Sequence, residues 1–143
     1  MSRTHDALDA FIGIKRTNEM LNQAVRKDVA QHGLKVNEFA VLELLYHKGP
    51  QVTQDIKEKI LVANSSTTYI IDKLCEKGLT YRQAWDQDKR VIYTHLTPKG
   101  HDLIVSIFPS HQEMITNLFT HLSDQEIQTL KLLLKKMNGY HLT

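Results

Sequence analysis

The segment from residue 63 to residue 100 constrains the fold more than any other part of the chain. It opens with a helical pattern over residues 64–77, which Gly78 ends. Three apolar side chains share one face of this helix: Ile70, Ile71 and Leu74. The other face carries short hydroxyls, an aromatic ring and a lysine: Ser65, Ser66, Thr68, Tyr69 and Lys73. The pattern predicts a helix with one buried side and one exposed polar side.

A hairpin pattern follows this helix. Residues 79–84 alternate roughly in strand fashion, and residues 91–96 do so with β-branched and aromatic side chains. The polar stretch between them, residues 85–90, predicts a charged hairpin tip. Thr97-Pro98 then predicts a new helix, with a threonine cap and proline at the first helical position.

Helical patterns also precede the 64–77 helix. Apolar residues at helical spacing predict helices over residues 5–31, 38–47 and 54–59, with Asn37 as the cap of the second. Helix, short helix, tight turn and exposed polar helix is the order of a helix-turn-helix, and a hairpin that follows it is a wing. Small hydroxyls and a lysine can reach base edges and phosphates in a duplex groove. The same hydroxyls can instead satisfy free N–H groups at a helix start.

Two motifs flank the wing. Asp88-Lys89-Arg90, five residues and then Leu96-Thr97-Pro98-Lys99-Gly100 form the pattern D-x-R-x5-L-T-x-x-G, and the preceding helix ends in I-D-K-L-x-x-K-G-L. With these motifs, the long first helix and the L-S-x-x-E start of the last helix, nearly the whole chain resembles the MarR family of winged helix-turn-helix transcriptional regulators.

The resemblance implies a mainly α fold with a small β-hairpin wing. It implies one MarR-like domain over residues 1–143, in which residues 34–96 form the winged helix-turn-helix. Residues 1–33 and 97–143 would form a helical dimerisation region of an obligate homodimer. Such a dimer would place two winged domains in successive major grooves of a pseudo-palindromic operator, most simply as a repressor.

The resemblance also implies which residues contact DNA. Ser65, Ser66, Thr68 and Tyr69 match the groove-facing positions of the recognition helix, and Arg90 matches the arginine that enters the minor groove. Asp88 matches the carboxylate that orients that arginine. This chain has Asn64 and Tyr69 where many relatives carry a basic residue. The predicted DNA-binding set is Asn64, Ser65, Ser66, Thr68, Tyr69, Lys73, Asp88, Lys89 and Arg90.

Composition agrees with such a protein without requiring it. The net charge of +2 is small, but phosphate contacts need only a few well-placed cations. One cysteine cannot form an internal disulfide, which fits a cytoplasmic location, and no apolar run is long enough for a membrane span. We expect no enzyme and no cofactor, because no nucleophile–base pair, phosphate-binding loop or metal-ligand spacing is present.

Three points stay open at the level of sequence. Phe11, Phe39, Tyr46 and Phe108 could border a pocket for a phenolic effector that releases DNA, as in family members, or could be core residues. Cys75 could sense oxidants or be a structural thiol. The eight histidines favour no metal site, although His101, His111 and Glu113 could converge as in zinc-sensing relatives. A metal- or redox-responsive regulator, or a winged-helix protein-interaction module without DNA binding, is the alternative function.

Overall fold

A computed structural model describes residues 2–60 and 66–139. These residues form six helices: α1 (Arg3–Ala30), α2 (Val36–Lys48), α3 (Thr53–Lys59), α4 (Thr67–Glu76), α5 (Pro98–Asn117) and α6 (Asp124–Met137). They also form three strands: β1 (Gln51–Val52), β2 (Thr80–Trp85) and β3 (Asp88–Leu96). The predicted mainly helical fold with a hairpin wing is therefore confirmed.

Helix α1 is long and mostly exposed. The Ser2 hydroxyl caps it by accepting a hydrogen bond from the His5 N–H at 3.1 Å. At its other end Gly33 adopts a φ of +73°, which places this residue in the region that glycine tolerates best. Val29 is the buried residue of α1, whereas three larger apolar side chains are exposed: Leu8, Phe11 and Ile12.

Helix α2 lies at the centre of the core. Its buried apolar residues pack with side chains from α1, α3, α4 and the first part of α5: Val29, Phe39, Val41, Leu42, Leu45, Ile56, Ile70, Ile71, Leu74, Ile104 and Ile107. The predicted cap Asn37 is wrong, because α2 begins at Val36 and its N-cap residue is Lys35. The Glu38 carboxylate determines this start, since its Oε1 accepts the Lys35 N–H at 2.8 Å.

The three strands form one antiparallel sheet in the order β1-β3-β2. Strands β2 and β3 pair from Thr80 opposite Leu96 to Trp85 opposite Asp88, with an irregularity between Ala84 and Trp85. The turn of the hairpin is therefore narrower than the predicted tip over residues 85–90. Strand β1 was not predicted, because two residues are too few to show an alternating pattern.

The junction between the wing and α5 explains the L-T-x-x-G motif. The Thr97 hydroxyl donates to the Gly78 carbonyl at 2.6 Å and accepts the Gly100 N–H at 3.0 Å. A Cβ atom on Gly100 would lie 2.0 Å from the Leu79 carbonyl oxygen, so only glycine fits there. Threonine and glycine at these two positions thus hold the start of α5 against Gly78 and Leu79, which follow α4.

The chain divides into two compact units, Met1–Phe108 and Pro109–Thr143. The second unit holds the last part of α5, a turn and α6. Ser123 and Glu126, the serine and glutamate of the L-S-x-x-E pattern, form a capping box: the Ser123 hydroxyl accepts the Glu126 N–H at 3.1 Å, and the Glu126 carboxylate accepts the Ser123 N–H at 2.9 Å. Helix α6 buries none of its residues, and Met137 is 74% exposed.

Candidate nucleic-acid interface

Helix α4 presents the polar face that the sequence predicts. Thr68 and Tyr69 are exposed, the latter by 54%, while Ile70, Ile71 and Leu74 point into the core. Ser66 is the N-cap residue and makes no capping hydrogen bond through its side chain. Its hydroxyl is therefore not used to close the helix start. Asn64 and Ser65, two further predicted contacts, lie outside the described residues.

Lys73 shares this face with Tyr69. Its Nζ lies 5.4 Å from the centre of the Tyr69 ring and 3.3 Å from a carboxylate oxygen of Glu76. The hydrogen bond to Glu76, together with the charge of that carboxylate, raises the pKa of Lys73 above its usual value. The lysine is thus a cation next to an aromatic ring, on the side of α4 that faces away from the core.

Strand β3 holds an arginine in a fixed orientation next to the hairpin turn. The Asp88 carboxylate accepts three hydrogen bonds from Arg90: Nε at 3.1 Å, Nη2 at 3.1 Å and the backbone N–H at 3.0 Å. The guanidinium of Arg90 lowers the pKa of Asp88, first through its side-chain bonds and then through the backbone N–H. The Arg90 side chain is nevertheless 90% exposed. Lys89 pairs with Asp86 at 3.3 Å, and both side chains are largely exposed.

Ion pairs and hydrogen bonds connect α4 to the wing and to α2. Arg82 of β2 bonds to Asp72 of α4, and Lys77 at the end of α4 bonds to the buried carboxylate of Glu38. Lys99 at the start of α5 donates to the Lys77 carbonyl at 3.0 Å. These contacts hold the carboxyl-terminal part of α4 to α2, β2 and the start of α5.

Cys75 lies on α4 and is partly buried. Its sulfur is 3.3 Å from the Thr80 hydroxyl and accepts a hydrogen bond from Arg82 Nη1 at 3.7 Å. These contacts tie the thiol to the first strand of the wing. Whether Cys75 senses oxidants stays a prediction.

The four residues predicted for an effector pocket have different surroundings. Tyr46 and Phe108 are in contact, with ring centres 6.3 Å apart, and His47 packs edge-on against Phe108 at 5.0 Å. Phe39 belongs to the buried core, and Phe11 is 59% exposed. The structure thus brings two of the four together in an aromatic cluster. The pocket itself stays a prediction.

Metal sites and membrane spans are two further features that the described residues lack. Within residues 2–60 and 66–139 of one chain, no group of three or more histidine, cysteine, aspartate and glutamate side chains is arranged to hold a metal ion. In the same residues, no helix combines the length and the apolar character that crossing a membrane requires.

Comparison with known proteins identifies the family. The MarR family model matches residues 34–92, the segment from α2 to the middle of β3. The HTH-type transcriptional regulator MhqR of Bacillus subtilis is 42% identical over 134 residues, which cover 94% of this chain and 92% of that protein. The chain belongs to the MarR family. It is a transcriptional regulator with a DNA-binding winged helix, and not an enzyme, as the motifs predict.

Solved structures of MarR-type proteins share the fold. A cysteine-to-serine mutant of MarR from Escherichia coli, complexed with operator DNA, superimposes with a TM-score of 0.83 at 21% identity, covering 96% of this chain and 99% of that one. BpsR of Bordetella bronchiseptica, whose DNA binding is regulated by 6-hydroxynicotinic acid, gives a TM-score of 0.81 at 20% identity, covering 91% of this chain and 98% of that one. Both likenesses concern the fold.

Sequence reasoning missed Glu38 as a residue that supports this interface. Its side chain is only 5% exposed and holds Lys77, which lies 39 residues later in the chain. An acidic residue in the first turn of a helix is favourable by itself, because it lies next to free N–H groups, so nothing in the sequence indicates that Glu38 also binds a cation. Which cation it is depends on the tertiary structure, so the pairing could not be read from spacing.

Proposed function

We propose that this MarR-family protein is a homodimeric cytoplasmic repressor that binds a pseudo-palindromic operator. In this proposal α4 reads the major groove through Ser66, Thr68 and Tyr69, together with Asn64 and Ser65, and Lys73 contacts phosphate. Arg90 enters the adjacent minor groove, with Asp88 orienting it and Lys89 beside it. A small phenolic-type effector releases the DNA.

The observation that carries the proposal is the arrangement of Arg90. Two of its five N–H donors bond to Asp88 and keep the planar group in one orientation, while 90% of the side chain remains exposed. An exposed and pre-oriented guanidinium suits a narrow minor groove, where the negative potential of DNA is concentrated. The operator complex of the E. coli MarR mutant, a protein of the same fold, supports this use of the winged helix.

Exposed apolar side chains support the dimer. On α1 they include Leu8 at 58% and Phe11 at 59% exposure, and on α6 Leu133 at 57% and Met137 at 74%. Apolar surfaces of this kind on helices mark association sites. A second copy of the chain would cover them and would give the two-fold symmetry that a palindrome needs. Sedimentation equilibrium should therefore give twice the chain mass of 16.5 kDa.

The aromatic cluster of Tyr46, His47 and Phe108 supports an aromatic effector, since aromatic rings prefer to pack against one another in offset or edge-on arrangements. The regulation of BpsR by 6-hydroxynicotinic acid, a hydroxylated aromatic acid, is consistent with this class of ligand. The proposed site also includes Phe39, which belongs to the buried core, and Phe11, which is exposed on α1. A Tyr46→Leu variant should keep DNA binding and lose release by the effector.

Fluorescence anisotropy tests the proposal directly. The protein is titrated onto the labelled duplex from upstream of its own gene and onto a scrambled duplex, each across a salt series. Selective binding that weakens steeply with salt is expected. A panel of phenols, with zinc and hydrogen peroxide as separate arms, then tests release. No selective binding by a folded dimer would overturn the proposal in favour of a protein-interaction module, and release by zinc or peroxide alone would overturn the phenolic effector.

A further inference from the structure

One ammonium group joins the end of α4 to the first turn of α2 and to the connection between α1 and α2. Lys77, the C-cap residue of α4, donates from Nζ to Glu38 Oε1 at 2.9 Å and to the Gly33 carbonyl at 3.1 Å, and Glu38 Oε2 is also 2.9 Å away. Glu38 belongs to the first turn of α2, and Gly33 follows the end of α1. The same carboxylate accepts the Lys35 N–H at 2.8 Å. The carboxyl end of α4 is therefore bonded to the α1–α2 connection at one point.

We propose that Glu38 and Lys77 are a positioning pair that sets the angle of α4 for operator binding, and that Lys77 does not contact phosphate. The inference rests on the proposed function, in which α4 is the recognition helix. It assigns Lys77 a different task from Lys73, which lies one turn earlier on the same helix.

The partner carboxylates, and not the lysines themselves, differ in burial. Lys77 and Lys73 are exposed to a similar extent, 38% and 42%, whereas the Glu38 side chain is 5% exposed and that of Glu76, the partner of Lys73, is 65% exposed. A surface pair such as Lys73–Glu76 breaks at little cost, so Lys73 is free to turn to a phosphate. If Lys77 did the same, it would leave a buried carboxylate without its cation, which is strongly unfavourable. Lys77 is therefore retained by Glu38 when DNA is present.

Because α4 is long, a small change in its angle at this pair produces a larger displacement at its amino end, which is proposed to contact DNA. Its ten residues span about 15 Å, so a tilt of about 4° at the carboxyl end moves the amino end by about 1 Å. Hydrogen bonds to bases tolerate only a few tenths of an ångström in distance. Loss of the pair should consequently reduce recognition of the operator more than general attraction to DNA.

The test compares Lys77→Gln with Lys73→Gln as the matched control, in the full-length dimer, on operator and scrambled duplexes across a salt series. For Lys77→Gln we expect operator affinity to fall about tenfold or more, a smaller fall for the scrambled duplex, and an unchanged dependence of affinity on salt. For Lys73→Gln we expect both affinities to fall. The slope of log K against log salt should then decrease by about 0.9 for each protomer, or about 1.8 for the dimer.

Two further variants separate positioning from folding. Lys77→Arg should restore operator affinity to within about threefold of the parent, because a guanidinium can bond to both carboxylate oxygens. The double variant E38Q/K77Q should bind no worse than Lys77→Gln, since it removes the buried charge together with its partner. Circular dichroism at the temperature of the titration gives the folded fraction, by which each affinity is corrected.

The outcomes are distinct. A salt slope that falls by about 1.8 for Lys77→Gln would make Lys77 a phosphate contact and overturn the inference. If the corrected operator affinity and the operator-to-scrambled ratio equal those of the parent, the pair only stabilises the fold, and the inference is overturned. Additive losses of affinity in the double variant would also overturn the inference. Failure of the parent itself to bind the operator would overturn the proposed function, and this inference with it.

Discussion

Replacement of Arg90 by alanine tests the role of the wing. The Arg90 side chain is 90% exposed, and among the described residues it bonds to Asp88. Its removal therefore leaves no buried group unsatisfied and should not destabilise the fold. A hydrogen bond to a charged group contributes about 1.5–3 kcal/mol. The proposed dimer has two wings, and the expected loss of binding free energy is therefore about 3–6 kcal/mol, which corresponds to an increase in Kd of roughly 140-fold or more.

Anisotropy titrations on operator and scrambled duplexes measure this loss. Both affinities should fall, because the minor-groove potential that attracts the arginine varies less with sequence than base edges do. The salt slope should decrease by about 1.8 for the dimer. Equal Kd values for the Arg90→Ala variant and the parent, with an unchanged slope, would exclude the wing arginine from the interface.

Asp88→Asn is the control that separates orientation from charge. It removes a negative charge next to the DNA, so simple electrostatics predicts tighter binding by the variant. If the carboxylate instead fixes the guanidinium with its two oxygens, as the 3.1 Å bonds to Nε and Nη2 indicate, the variant should bind more weakly than the parent. Tighter binding would refute the orienting role.

Three further predictions concern single sites. Gly100→Ala should lower the free energy of unfolding by about 1–3 kcal/mol, measured by urea denaturation, because its Cβ would lie 2.0 Å from the Leu79 carbonyl oxygen; an unchanged midpoint would contradict this packing. Ser123→Ala should cost about 1 kcal/mol through loss of the α6 cap, whereas Ser123→Asp should keep the cap. In an NMR titration the pKa of Asp88 should lie below its ordinary value of 3.8 and return towards it in Arg90→Ala, because Arg90 stabilises the carboxylate. Since the pKa of Asp88 is lowered in the folded state, the contribution of the Asp88–Arg90 pair to stability is complete above the pKa of the unfolded state. This contribution is lost as the pH falls through the pKa of the folded state.

The fold was largely predictable because its signals are local. Helix periodicity, the Ser123-to-Glu126 capping box and the alternating strands each involve residues close in sequence, and each agrees with the structure. Not every local feature was predicted correctly, because the start of α2 is set by a bond from the Lys35 N–H to Glu38, three residues later. Features that depend on a distant residue could not be predicted at all, and the role of Lys77 depends on a carboxylate 39 residues earlier. The two-residue strand β1 exists only through its pairing with β3.

The residues that reveal the family are for the most part not those proposed to read the operator. Thr97 and Gly100 of the L-T-x-x-G motif bond to or pack against the backbone at Gly78 and Leu79, and they fix α5 beside the end of α4. Such backbone contacts require particular residue types, whatever the DNA sequence is. The polar face of α4 has no such constraint, because Thr68 and Tyr69 are exposed. The winged-helix fold can therefore be recognised from its motifs, whereas the operator must be found by experiment. We expect substitutions on the exposed face of α4 to change which DNA sequence is bound while the fold is retained.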